Sequence, residues 1–118
     1  MRRLVLLPLL LLWMHAQAGS IDQPAALAAL QQPGAVLIDV RTAEEFSAGA
    51  LPGAVRIPTD ALDERIGMLV PDKQTPIVLY CRTGRRSSAA QDLLQELGYR
   101  HVTNAGGYEQ LVPLLDQR

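Results

Sequence analysis

Beyond its first eighteen residues the chain alternates short, continuous apolar runs with stretches whose apolar residues recur every three or four positions. The first pattern suits buried strands and the second amphipathic helices. Asp22 can cap a helix starting near Pro24, with Leu27 and Leu30 on one face and Pro33-Gly34 as its stop. Val36 to Asp39 is apolar enough for a strand of a buried parallel sheet. Thr42-Ala43-Glu44-Glu45 forms a capping box, and Phe46 behind it is the expected inward anchor. Leu51-Pro52-Gly53 predicts a turn, followed by a brief strand at Ala54 to Ile57. Thr59 or Asp60 is placed to cap a helix carrying Leu62, Ile66 and Leu69.

The middle of the chain, PIVLYCRTGRRSSAAQDLLQELG at 76–98, reads as strand, tight loop and helix. Ile77 to Tyr80 is the strand and ends at Cys81. Ser87 and Ser88 open a helix with Ala89, Ala90, Leu93, Leu94 and Leu97 at helical spacing, and Gly98 closes it. His101 to Thr103 is a last short strand, after which Gly106-Gly107 turns into a helix with Leu111, Leu114 and Leu115. Pro113 is expected to bend or shorten that helix. Strands alternating with helices define an α/β layered fold with a largely parallel sheet.

The first eighteen residues obey a different rule. Arg2 and Arg3 precede an apolar stretch from Leu4 to Met14, and Ala16-Gln17-Ala18 follows. A positive end, a compact apolar region and small residues at an A-x-A site are the parts of a secretory signal peptide. The apolar run is shorter than the roughly 20 residues a membrane span needs. Cleavage after Ala18 would leave one domain, residues 19–118, in the periplasm, with no membrane attachment. Losing two arginines moves the formal charge from −1 to −3, a mild acidic balance that disfavours nucleic acid as a partner.

The 118 residues include a single cysteine. In an oxidising compartment it cannot belong to an intrachain disulfide framework, so it is buried, paired with another molecule, or used. Cys81 stands where its strand stops, and Arg82, Thr83, Gly84, Arg85 and Arg86 follow. A loop of that kind aims backbone N–H groups and the positive helix end at the sulfur. Basic residues and a helix N-terminus lower a thiol's pKa and make it a nucleophile. Free cysteine is also among the most buried residue types, but a merely structural cysteine would need no such charge around it.

CRTGRRS resembles the active-site loop of the rhodanese family of sulfurtransferases: cysteine, two variable residues, glycine, another residue, then arginine and serine or threonine. LIDVRTAEEFSAGALPGAVRIP at 37–58 resembles the family's upstream signature, and NAGGY at 104–108 extends the likeness over the mature chain. As a secreted single domain the chain is also similar to periplasmic rhodaneses of the phage-shock type. Ala50 departs from the pattern, standing where the family usually carries histidine, which puts in question the hydrogen bonding of that turn. The resemblance implies a small twisted, mostly parallel sheet of four or five strands with helices on both faces. It implies Cys81 as catalytic residue and Arg82, Thr83, Gly84, Arg85 and Arg86 as the substrate-binding loop, with Arg85 foremost. The implied activity is that of a thiosulfate sulfurtransferase, working through a Cys81 persulfide with ping-pong kinetics. Its partners would be a small sulfur donor and a thiol or cyanide acceptor, or a protein sulfur acceptor. No cofactor is implied, and no cluster of metal-ligating residues stands out in the sequence.

Two other readings share these residues. A persulfide carrier serving a protein partner would need the same loop and differ only in lacking free turnover. Phosphatases and arsenate reductases of similar fold place five residues between cysteine and a phosphate-gripping arginine. Here that position is Ser87, and only four residues separate Cys81 from Arg86. Because ligands of open α/β sheets sit beyond the carboxyl ends of the strands, Asp39-Val40-Arg41, Pro58-Thr59 and the Cys81 loop are expected at one edge. Asp39 and Arg41 read as a structural ion pair there, and His101 as a strand-edge residue without a catalytic part.

Overall fold

The computed structural model of the chain describes residues 20–115. Among these, the helices are α1 (Gln23–Leu30), α2 (Ala43–Ala48), α3 (Leu62–Leu69), α4 (Arg85–Glu96) and α5 (Tyr108–Leu115). The strands are β1 (Val36–Asp39), β2 (Val55–Arg56), β3 (Ile77–Cys81) and β4 (Val102–Gly107). They form one sheet in the order β2-β1-β3-β4, and every pairing is parallel. The leader expected at residues 1–18 lies outside the described residues.

Strand β3 runs through the middle and is buried along its whole length. Its alternation divides the core in two. Ile77, Leu79 and Cys81 point to one face and pack with Ile38, Val40, Leu62, Ile66, Ala90 and Leu94 under α3 and α4. Val78 and Tyr80 point to the other and pack with Leu37, Ala26, Leu111 and Leu115 under α1 and α5. The continuous apolar character of β1 and β3 thus has its reason: both strands are covered on both sides.

Chain order creates the site. From β1 the chain moves outward to β2, returns over α3 to β3, and then moves outward the other way to β4. The crevice beyond the carboxyl ends of β1 and β3 is therefore a topological switch point, where α/β sheets bind ligands. Asp39 closes β1 and Cys81 closes β3, so the expected gathering at one edge occurs.

Several local expectations are refined. Asp22 caps α1 through a 3.1 Å bond from the Ala25 N–H, and the Thr42–Glu45 capping box is complete. Phe46 is only half-buried and α2 buries no residue fully, so it is a weaker anchor than its apolar character suggested. Neither Thr59 nor Asp60 caps α3: a 3-10 turn at Thr59–Ala61 feeds straight into it, and Leu69 is exposed. Helix α4 starts two residues before Ser87, at Arg85, and its Ala89 and Leu97 face solvent. Strand β4 runs on to Gly107 where a turn was expected at 106–107. A register shift between Leu79 and Tyr80 absorbs Ala105, and Gly106 takes φ 98°. The bulge lets two glycines remain in the ladder. Pro113 lies within α5, which continues to Leu115.

Candidate active site

At the carboxyl end of β3 the chain must turn and start α4 within three residues. Gly84 makes this possible by adopting φ 99° at the position preceding the helix, a left-handed conformation that a side chain would strain. Gly107 is needed for another reason. A Cβ there would stand 2.6 Å from the Arg82 carbonyl oxygen, so only glycine lets the loop pass over the end of β4.

Helix α4 has no side-chain cap at its N-terminus; the cysteine sulfur fills that place. Cys81 Sγ accepts hydrogen bonds from the N–H of Gly84 at 2.9 Å, the N–H of Ser87 at 3.4 Å and the hydroxyl of Ser87 at 3.4 Å. These N–H groups are among those a helix start leaves without an internal partner. Cys81 is fully buried, and burial alone pushes a thiol pKa up. Here the Ser87 hydroxyl and the N–H groups of Ser87, Gly84 and Thr83 outweigh burial and hold it below its ordinary value. The result is a buried thiol whose charged form is stabilised by hydrogen bonds.

The loop arginines divide by role. Arg86 forms a two-pronged ion pair with Glu45, at 3.1 and 3.2 Å. The Arg86 fork, helped by the Thr42 N–H, holds the Glu45 carboxyl down at about 2. Glu45 thereby serves the α2 capping box and the loop after Cys81 at once, tying α2 to the start of α4. Arg82 and Arg85 are exposed and make no ion pair with a described residue. Arg85 and Thr83 line an open hollow of about 570 Å³ with Ile21, Gly84, Ser88 and Asp92. Arg82 lines a cleft of about 280 Å³ on the other side, with Arg41, Glu45, Tyr108 and Glu109.

Below the loop lies the pair expected from sequence. Arg41 Nε meets Asp39 at 3.0 and 3.1 Å and Nη2 at 2.7 Å, with both residues buried. Nη2 also donates to the Gly49 carbonyl at 2.7 Å, and the guanidinium stacks 4.3 Å from the Tyr108 ring centroid. The turn that carries Ala50 is held from two sides, by Arg41 at Gly49 and by the Leu51 N–H donating to the Tyr80 hydroxyl at 3.1 Å. That support answers the question raised by Ala50. His101 is exposed, 3.2 Å from Gln74, at the opposite end of the sheet from Cys81.

Sequence reasoning gave three residues too little weight. In the sequence Ser87 reads as a helix opener and motif residue, Glu45 as a cap within a family signature, and Asn104 as part of a family signature; none reads as a partner of the loop. Asn104 is fully buried beside the loop; its Oδ1 accepts from Ser87 Oγ at 2.7 Å and from the Gly106 N–H at 2.9 Å. No local signal marks Asn104, which lies beyond the strand expected at His101 to Thr103; its burial in β4 is what demands a partner.

Comparison with known proteins agrees with this architecture. Residues 22–112 match the rhodanese-like domain. The thiosulfate sulfurtransferase PspE of Escherichia coli is 43% identical over 74 residues, covering 63% of this chain and 71% of that protein. A human thiosulfate:glutathione sulfurtransferase is 32% identical over 108 residues, covering 80% of this chain and 94% of the relative. Among solved structures, an E. coli rhodanese with anions superposes with a TM-score of 0.62 at 43% identity, covering 64% of this chain and 88% of the other. A human single-domain sulfurtransferase does so with 0.67 at 30% identity, covering 81% and 96%. The chain belongs to the rhodanese family of sulfurtransferases. Among the described residues no helix is long and apolar enough to cross a membrane.

Proposed function

We propose that the chain is a thiosulfate sulfurtransferase in which Cys81 is both nucleophile and sulfur carrier. One observation carries this reading: N–H and O–H donors converge on a buried Sγ and depress its pKa. The thiolate attacks the outer sulfur of the donor, sulfite leaves, and the loop N–H groups receive the persulfide charge. A thiol or cyanide then takes the outer sulfur. Charge at the helix start favours an anionic donor, since the exposed Arg85 sits in the first turn of α4, which holds no acidic residue of its own. A cation there opposes the helix dipole unless an anion is bound beside it. The similarity to PspE, a thiosulfate sulfurtransferase, and to an E. coli rhodanese with anions supports this choice of donor. Phosphate chemistry fits less well, because Arg86 is engaged by Glu45.

Steady-state turnover with thiosulfate and cyanide tests the proposal. Parallel double-reciprocal lines are expected, because the two substrates never meet on the enzyme. Intersecting lines would mean direct transfer and would remove the covalent step. No turnover, with sulfur still held on Cys81, would leave a carrier for a protein acceptor.

Arg85 is assigned to draw the donor in. Its exposed charge at the loop mouth acts over a distance that salt screens. Arg85→Ala is expected to lower kcat/KM for thiosulfate by about ten-fold, and added salt should slow the wild type more than the variant. Equal rates and equal salt responses would pass the role to Arg82.

The periplasmic reading rests on the leader at residues 1–18 and is likewise proposed. Intact-mass measurement of the exported protein should give a chain beginning at Gly19. A mass that includes Met1 to Ala18 would refute cleavage.

A further inference from the structure

The hydroxyl of Ser87 lies between two acceptors, 2.7 Å from Asn104 Oδ1 and 3.4 Å from Cys81 Sγ. All three residues are fully buried. A hydroxyl carries one proton, so it serves one acceptor fully at a time. Asn104 is anchored independently of that choice. Its Oδ1 accepts from the Gly106 N–H at 2.9 Å and its Nδ2 donates to the Gly84 carbonyl at 3.2 Å. The Gly84 N–H, in turn, reaches Sγ at 2.9 Å. The backbone donors are therefore fixed, and the Ser87 hydroxyl is the donor to Sγ that can turn by rotation of a single bond.

Building on the sulfur-transfer reading above, we propose that Ser87 is a further catalytic residue whose hydroxyl proton follows the negative charge off and onto Cys81 Sγ. It bonds to Sγ while that atom is a thiolate, and to Asn104 Oδ1 while the charge sits on the outer sulfur of the persulfide. Asn104 is the positioning residue that supplies the second seat.

The electron count agrees. In loading, Sγ forms a bond to the outer sulfur of thiosulfate, the bond to the sulfite sulfur breaks, and sulfite leaves with the electron pair. Negative charge passes from Sγ to the outer sulfur. In discharge, an acceptor thiolate or cyanide forms a bond to the outer sulfur, the Sγ–S bond breaks, and its pair returns to Sγ. Charge is conserved in each step, and the sulfur leaves as it arrived, so no further oxidant or reductant enters.

The two steps do not depend equally on Ser87. In loading, a lower thiol pKa provides more thiolate but a less nucleophilic one, and the two effects oppose. In discharge Sγ is the leaving group, and a thiol of lower pKa leaves faster. The leaving sulfur is also buried, where an emerging charge without a hydrogen-bond donor is costly. The hydroxyl thus acts mainly on discharge.

The test compares the wild type with Ser87→Ala and with Ser87→Thr, which keeps a hydroxyl on the same carbon. Each protein is loaded with inorganic polysulfide and mixed with cyanide in a single turnover. Alkylation of the resting thiol is followed against pH, and melting curves verify folding. Ser87→Ala is expected to discharge about ten-fold or more slowly, to load from thiosulfate within about three-fold of wild type, and to shift alkylation to higher pH. Ser87→Thr should restore discharge and profile. The proposal is overturned if Ser87→Ala discharges at the wild-type rate, or if both steps slow equally with the alkylation profile unmoved. It is also overturned if Ser87→Thr behaves as Ser87→Ala does. A wild type that takes sulfur from neither reagent would instead overturn the sulfur-transfer reading itself.

Discussion

Cys81→Ser is expected to remain folded and to lose sulfur transfer by at least about a thousand-fold. Folding should survive because serine is slightly smaller than cysteine and its oxygen can accept the Gly84 and Ser87 N–H bonds that Sγ now takes. Activity should not, because no other thiol exists in the chain to carry the sulfur and a hydroxyl is a far weaker nucleophile near neutral pH. Two measurements check this: intact mass after incubation with thiosulfate, and turnover with cyanide. Wild-type protein should gain one sulfur atom and the variant none. A variant that turned over at the wild-type rate would end the covalent mechanism.

The second large effect concerns stability. Asp39→Asn keeps the shape of the side chain but leaves the buried Arg41 guanidinium without a counter-charge. Breaking a buried pair from one side costs about 3–5 kcal/mol, mostly the cost of the stranded charge. In a domain of about 100 residues each kcal/mol moves Tm by about 4–8 °C, so a fall of at least about 12 °C is expected. The loss reaches further than the pair, because Arg41 also holds the Gly49 carbonyl and stacks on Tyr108. Thermal unfolding followed by circular dichroism measures it. A variant melting within about 2 °C of wild type would show that the pair is neutral to folding and that the Gly49 and Tyr108 contacts suffice for Arg41.

Activation of the thiol has a different source from the one its sequence neighbours suggest. Three arginines in five positions invite a Coulombic explanation, in which positive charge holds the thiolate. In the folded chain Arg86 is partly neutralised by Glu45, and Arg82 and Arg85 face solvent, where screening reduces their pull. Against burial, the depressed pKa of Cys81 follows chiefly from the Ser87 hydroxyl and from the N–H groups of Ser87, Gly84 and Thr83, with a lesser Coulombic share from Arg86. Short-range donors in a dry site act more strongly than exposed charges do. On the proposed reading, attracting the donor falls to the exposed Arg82 and Arg85, and stabilising what forms falls mainly to the loop backbone and Ser87.

The sequence by itself determined the layered α/β fold, the strands at Val36–Asp39 and at Ile77 to Cys81, the Asp22 and Thr42 caps, and the placement of Cys81 at a strand end. Each of these depends on neighbours a few positions away, on hydrophobic period, capping chemistry or turn residues, and such signals are complete within a short segment. Chain order in the sheet then put β1 and β3 side by side, which follows from packing apolar faces and from no local rule. Only the tertiary structure decided what the loop side chains do. Glu45 reaches Arg86 across 41 positions and Ser87 reaches Asn104 across 17. A polar residue's partner is chosen by whatever the fold brings within about 3 Å of it, and burial makes that choice binding. The extension of β4 through Asn104 to Gly107 was hidden for the same reason. Asn and Gly score as turn residues locally, and only the approach of the Arg82 carbonyl over Gly107 and the Ser87 hydroxyl beside Asn104 explains why they stand in a strand.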